Sequence, residues 1–266
     1  MIRIETDERM KMYFLLLISI TGAISHATVS DSDKIHSREI NCEYDLDGMI
    51  FLFPKESVTD YVILQPELGT PLKSFTICLR AFTDLTRSIA FFSVSSSTEF
   101  NNLILYYDHL SAGPYSLYVG GQWRNFRGMG NAPERKHLCG TWDSSSGVTQ
   151  FWLNGEPLVR QVMAKGHTIE GPLKFILGQE QDSFGGSFEA RQSFVGEMGD
   201  VHLWDYVLSP EDIHQAFINN KHFNGNVISW RAVRYEIQGD VLVEPMHQSV
   251  SENQAFSSVQ PESKSK

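Results

Sequence analysis

Positive charge is scarce and scattered in this chain. Lys and Arg number 22 against 32 Asp and Glu in 266 residues, a formal charge of −10. Phosphate backbones are bound by clustered Lys and Arg, so no nucleic-acid partner is expected. Long apolar runs are missing too. The stretch Tyr13 to Ile20 falls short of the ~20 residues that a membrane-spanning helix needs, so no transmembrane span is expected. The nine histidines show no His-x₃-His spacing and the three cysteines no Cys-x₂-Cys, which removes the usual zinc patterns. There is no Gly-x-Ser-x-Gly elbow and no P-loop, and Gly128-Met129-Gly130 does not continue into a dinucleotide fingerprint. Asn-x-Ser/Thr is absent, so N-glycosylation is not expected.

What is present begins with a leader. The apolar run at Tyr13–Ile20 is followed by small residues ending Ser25-His26-Ala27, the form of a secretory signal cleaved after Ala27. Glu5, Asp7 and Glu8 stand where positive charge belongs, and a start at Met10 would restore an ordinary n-region. The expected organisation is therefore a signal peptide at 1–27, an extension at 28–47, a folded domain at 48–246 and a polar, disordered tail at 247–266. Secretion makes the cysteines readable: Cys78 and Cys139 lie in strand-like contexts and could staple two strands, worth about 4 kcal/mol in the loop-closure picture. Cys42 is left over, either free or bridging to another chain.

Between Gly48 and Pro245 short β-rich segments alternate with Gly, Pro, Asn and Ser. Strands are expected at 49–53, 61–64, 75–82, 89–94, 103–107, 115–119, 137–143, 149–153, 174–177, 197–204, 227–230 and 236–243. Asn154-Gly155 between two apolar runs signals a tight hairpin. One helix is expected at 209–218, from an N-cap Ser209, Pro210 in the first turn and the acids Glu211 and Asp212 against the dipole. The class is all-β, a sandwich carrying one helix.

Chemistry concentrates in Gln179–Gln192. Three carboxylates (Glu180, Asp182, Glu189) and the amides of Gln179, Gln181 and Gln192 surround the Gly185-Gly186 bend. Ca²⁺ wants about six to eight oxygen ligands, many of them charged, and a bent acidic loop can supply them from both arms. Glu180-x-Asp182 also begins the alternate-position pattern of sandwich-fold glycosidases. A third acid should follow closely, but Ser183-Phe184-Gly185-Gly186 stands there, and a glycine pair favours a bend over a catalytic strand. No enzyme is expected.

Five segments turn the candidate loop into a family resemblance. His137-Leu138-Cys139-Gly140-Thr141-Trp142-Asp143-Ser144 matches the His-x-Cys-x-Ser/Thr-Trp-x-Ser/Thr signature of the pentraxins. Phe53-Pro54-Lys55-Glu56-Ser57, Ala81-Phe82-Thr83-Asp84-Leu85, Phe151-Trp152-Leu153-Asn154-Gly155 and Gly178 to Gly186 also resemble short pentraxins, over about residues 48–245. The resemblance implies a lectin-like jelly-roll sandwich with its helix opposite the calcium face, and a Cys78–Cys139 disulfide. It implies secretion, assembly into a homo-oligomer of five, and two Ca²⁺ per subunit that bridge to an anionic ligand. Such ligands are phospholipid head groups or acidic polysaccharides, and complement or Fc receptors are the implied effectors of innate immunity.

By position, the ions would be held by Glu180, the main-chain oxygen of Gln181, and Asp182, with Glu189 and Gln192 completing the second. An Asp-Asn pair from an earlier strand supplies the rest of the family site. Here the pair falls on Phe100-Asn101 or, one register later, Asn101-Asn102, and the Asp is missing in both, so weaker calcium is expected. The implied ligand pocket is Ile104, Tyr106 and Tyr118 (Leu105 and Tyr107 replacing the first two in the later register), with Trp123 beside it. That set resembles members that take phosphoethanolamine and acidic sugars. The Glu and open slot that serve choline elsewhere in the family are not matched.

Overall fold

The computed structural model describes residues 42–128 and 135–247. The expected leader, most of the extension and the tail beyond His247 lie outside the described residues. Within them, fifteen strands form two antiparallel sheets, and one helix packs outside.

The first sheet joins, in order, β10 (Glu156–Pro157), β9 (Val148–Leu153), β8 (Lys136–Asp143), β3 (Ser74–Phe82), β13 (Gly196–Trp204), β1 (Met49–Phe53) and β15 (Leu242–Pro245), with β11 (Gln161–Val162) also on β9. The second runs β14 (Tyr235–Gln238), β2 (Tyr61–Leu64), β12 (Leu173–Leu177), β4 (Ile89–Ser96), β5 (Leu103–Tyr107), β6 (Tyr115–Val119) and β7 (Gln122–Phe126). Their facing sides interdigitate as one core, including Phe51, Phe75, Phe92, Leu105, Leu117, Trp142 and Leu177. Alternation along each strand puts every second side chain into that core, and burial of these apolar groups drives the pairing. This is the lectin-like jelly-roll sandwich that the sequence reading expected.

The helix α1 (Pro210–Phe217) begins where the sequence says it should. Ser209 Oγ accepts from the Asp212 N–H at 3.2 Å, and the Ser209 N–H reaches back to Asp212 Oδ2, closing a capping box. Its buried Ile213 packs with Trp204, Leu208, Trp152 and the Cys78–Cys139 disulfide on the outer side of the first sheet. The two cysteines are directly opposed in the β3–β8 register, which is why they can bond.

Two expected strands differ. The segment 227–230 makes one bridge, Ile228 to Leu203, before the turn from Ser229 to Ala232 bends it away. The segment 236–243 splits at Gly239 into β14 and β15, which belong to different sheets. Gly239 has φ +70°, and an added Cβ would meet Asp60 Oδ1 at 2.2 Å, so only glycine lets the chain turn this corner. The edge strand β7, polar in sequence, was not expected, yet Gly120-Gly121 before it, both at positive φ, is a hairpin signal. The packed unit also begins earlier than residue 48: Tyr44 bridges to Val233 and Leu46 is buried in the core.

Candidate metal centre

The acidic loop leaves the end of β12 through Gly178. An added Cβ there would sit 2.4 Å from the Phe53 ring, and φ is +86°, so glycine alone permits the exit. The next residues then alternate. Gln179 and Gln181 are fully buried, and act as pegs. Gln179 Nε2 donates to the carbonyls of Ser57 (2.8 Å) and Asp60 (3.2 Å). Gln181 Nε2 donates to the Ser93 carbonyl, Ser93 Oγ and the Lys174 carbonyl, while its Oε1 accepts from Ser95 Oγ (2.5 Å) and the Gly185 N–H (3.0 Å). With 179 and 181 held inward, period-two geometry directs Glu180 and Asp182 to the other side. The Gln181 amide, a candidate ligand on chemistry alone, is thus committed to holding the loop, and so is the Gln179 Nε2, while the Gln179 Oε1 is buried without a partner.

The loop turns back at Ser183–Gly186, which exchange both backbone hydrogen bonds around Gly185 at φ +76°. A short 3₁₀ turn at Ala190–Gln192 follows, and Phe194 returns its N–H to the Gly178 carbonyl at 2.9 Å. Phe194 is wedged against Phe53 and Phe91, closing the loop at its base. The return arm carries Glu189, whose Oε2 accepts from Gln192 Nε2 (3.1 Å) and Arg191 Nε (3.2 Å).

Electrostatics tie the two arms together. Glu180 is half-buried and its pKa is pushed up to about 7, first by loss of solvation and then by the negative charges of Asp182 and Glu189. The three carboxylates do not close to within 4.8 Å as a trio. The trio that does is Cys78, His137 and Cys139, where both sulfurs are in the disulfide and cannot act as thiolate ligands.

The opposite wall comes from the β4–β5 turn. Gln181 is bonded to Ser93 on β4, and Ser93 is paired with Ile104 on β5, so the loop folds over β4 toward this turn. Asn102 is buried and occupied: its Nδ2 donates to Ser96 Oγ (2.9 Å) and the Glu99 carbonyl (3.0 Å), and its Oδ1 faces His167 Nε2 at 3.3 Å. Asn101 differs. Its N–H donates to Glu99 Oε1, but its own Oδ1 is buried with no partner. A buried carbonyl oxygen without a donor is unfavourable by about 1–3 kcal/mol, and a cation is one way to satisfy it. Phe100 stands beside it, 39% exposed. The donor set, acidic and amide oxygens that include the partnerless Asn101 Oδ1, fits a hard cation such as Ca²⁺ and not a zinc or copper ion.

Aromatic residues border the centre. Ile104 is buried without joining the sandwich core, and it pairs across strands with Tyr118. Tyr106 and Tyr118 meet edge to face at 6.2 Å, and Tyr118 stacks on Trp123 at 6.0 Å. Burial raises both phenols, Tyr106 to about 12, and Glu180 is among the negative charges that add to the shift.

Comparison with known proteins gives this geometry its context. Residues 49–245 match the Pentaxin family. Rat (Rattus norvegicus) serum amyloid P-component is 45% identical over 209 residues, covering 78% of this chain and 90% of that protein. Rat mucosal pentraxin is 41% identical and pig (Sus scrofa) C-reactive protein 39%, each over 238 residues, 90% of this chain and 98% of theirs. Among solved structures, the native heptameric SAP-like pentraxin of Limulus polyphemus superposes with a TM-score of 0.67 at 25% identity, covering 76% of this chain and 97% of that one. With the family matched over the whole sandwich and relatives above 40% identity, the chain belongs to the pentraxin family.

Proposed function

We propose that this protein is a secreted, calcium-dependent recognition protein of innate immunity that binds phosphorylated or acidic head groups. Two Ca²⁺ ions per subunit would be held by Glu180, the Gln181 carbonyl, Asp182 and Asn101, with Glu189 and Gln192 completing the second ion. Asn102, occupied by three hydrogen bonds, is left out of the set. The reading is supported by the partnerless, buried Asn101 Oδ1 and by an acidic loop in which burial, and then the charges of Asp182 and Glu189, push Glu180 up to about 7. Bound ions would supply charge neutralisation and open positions for anionic oxygens. The three carboxylates total −3 against +4, leaving net positive charge for a phosphate or carboxylate.

The chain's own residues prepare the site. The Gln179 and Gln181 pegs fix the loop before any ion arrives, so binding orders little and loses little entropy. Family membership supports a homo-oligomer, with five subunits as the expected number, and several weak sites on one face would bind a patterned surface by avidity. Complement or Fc receptors are the effector partners this reading carries.

A second reading keeps the fold as a structural oligomer with weakened or lost calcium, and Phe100 in place of an acid is its basis. Thermal unfolding with and without calcium separates them, because a ligand of the folded state raises its stability. A calcium-dependent rise in Tm, together with calcium-dependent capture on phosphoethanolamine beads, supports the first reading. An unchanged Tm and no capture support the second.

A further inference from the structure

We propose that Asn224 is a self-modifying site. Its side-chain amide is converted to a carboxylate through a cyclic imide closed by the Gly225 nitrogen, with His202 as general base and Arg231 holding the developing oxyanion. The proposal does not rest on the calcium reading above. It concerns the outer side of the first sheet, where His202 shares its face of β13 with Trp204.

Asn224-Gly225 lies in the segment between α1 and β14. Each atom that such a closure uses already has a partner. The Gly225 N–H donates to His202 Nδ1 at 3.3 Å, and the Trp230 N–H donates to the same nitrogen at 3.4 Å. Two donors aimed at one ring nitrogen mean that Nδ1 carries the lone pair. Asn224 Oδ1 accepts from Arg231 Nη1 at 2.8 Å, and Asn224 Nδ2 donates to the Lys221 carbonyl at 3.2 Å. The attacking nitrogen and Asn224 Cγ belong to adjacent residues, so closure is intramolecular, and glycine brings no side chain to obstruct it. Asn224 is half-buried and Lys221 exposed, so ammonia can leave and water can enter.

The steps balance with water as the only co-reactant. His202 Nδ1 takes the Gly225 amide proton while that nitrogen attacks Asn224 Cγ, and the C=O electron pair moves onto Oδ1 against the Arg231 guanidinium. The imidazolium then gives its proton to Nδ2, the Cγ–Nδ2 bond breaks, and ammonia leaves a cyclic imide. Water opens the imide to aspartate or isoaspartate at this position. A base within hydrogen-bond reach of the proton and a cation on the oxyanion each lower the barrier. The base is weak, its pKa pushed down to about 3 by lost solvation and then by Arg231 and Arg80, but it is uncharged and available at neutral pH. The expected acceleration is therefore about tenfold, below the usual range for general-base catalysis.

The other Asn-Gly pair lacks this arrangement. Asn154 Oδ1 accepts a backbone N–H, from His137 at 2.9 Å, and no side chain accepts the Gly155 N–H among the described residues. Conversion at 224 changes what its neighbours can do. A carboxylate there competes for Arg231, which otherwise reaches Asp47 Oδ1 at 3.0 Å and Asn219 Oδ1 at 2.8 Å. Isoaspartate adds a main-chain carbon beside Gly225, where an added Cβ already collides with the Ile228 and Leu203 carbonyls. That product must loosen the segment from its Ile228–Leu203 bridge.

The test incubates the full chain in neutral buffer at physiological temperature and follows amide-to-acid conversion at both Asn-Gly peptides by mass spectrometry. The same chain held unfolded in guanidinium runs beside it. Conversion at residue 224 is expected to be about tenfold faster in the folded than in the unfolded chain, whereas folding should not accelerate residue 154. His202→Gln keeps an acceptor for the Gly225 N–H but removes the base, so it should return residue 224 to about the unfolded rate and leave residue 154 unchanged. If that variant does not fold, the comparison of folded with unfolded wild type still decides. A folded rate at residue 224 equal to or below the unfolded rate, or a rate unchanged in folded His202→Gln, overturns the proposal.

Discussion

At the scale of single residues, Phe100, Asn101 and Glu180 decide how this centre behaves. In the earlier of the two registers that the family resemblance allows, Phe100 occupies the place where a carboxylate is expected, next to the orphan oxygen of Asn101. Restoring the acid by Phe100→Asp should tighten calcium by about tenfold, the order expected of one added charged ligand at an exposed site. A calorimetric titration of the variant against wild type reads this directly, and an unchanged affinity contradicts a role for Phe100 in weakening the site. Glu180 adds a pH dependence. Its folded pKa of about 7 lies above the ordinary carboxylate value, so near neutrality the calcium-free site carries a proton about half the time. Calcium must displace that proton, so affinity should fall as pH drops below about 7, and binding there should release protons to the buffer. Identical affinities at pH 8 and pH 6 would contradict this.

At the scale of elements, loop geometry is the vulnerable part. Gly178→Ala places a methyl group 2.4 Å from the Phe53 ring at a left-handed φ, so it should lower stability by about 2–4 kcal/mol, seen as a shifted urea midpoint. Ser209→Ala removes the helix cap and should lower stability by about 1 kcal/mol while leaving calcium affinity intact, since α1 packs on the other sheet. What was legible in the sequence follows the same division. Short, continuous apolar runs bounded by turn residues, such as 49–53 and 103–107, match their observed bounds, because their β-branched and aromatic side chains suit a strand and the flanking turn formers end it. The Asn154-Gly155 hairpin has both residues at positive φ, as its dipeptide required. Segments 227–230 and 236–243 misled because their β-rich composition said nothing of which neighbour had a free edge, or of the corner at Gly239. In the proposed site, the three carboxylates and Asn101 are candidates that can be named from the chain. That Asn102 is spent on Ser96, Glu99 and His167 could not, since adjacent asparagines look alike until the backbone fixes which one turns inward.

At the scale of the whole molecule, the sandwich separates two kinds of chemistry. The acidic loop and the aromatic corner stand on one sheet; the disulfide, the helix and a set of buried histidines belong to the other. His202 is buried, and its pKa falls to about 3, chiefly through lost solvation and then through the positive charges of Arg231 and Arg80. His137 shifts in the same direction. Below about pH 6.5 the unfolded chain takes up protons that the folded one refuses, so stability is lost as pH falls toward 3. For His202 alone this amounts to about 2 kcal/mol between pH 6.5 and pH 5. Glu180 acts oppositely in the calcium-free protein, since its raised pKa favours the folded state as pH drops from 7 toward 4.5. Urea unfolding of Glu180→Gln at these pH values isolates the histidine contribution, and a flat profile would contradict it. Native mass spectrometry gives the subunit number, for which five is expected. The most direct test of the central claim is a calcium titration of the metal-free protein at about pH 7.5, with Glu180→Gln beside it. The account predicts two ions per chain for the wild type and loss of binding in the variant; no binding to the wild type at millimolar calcium would contradict it.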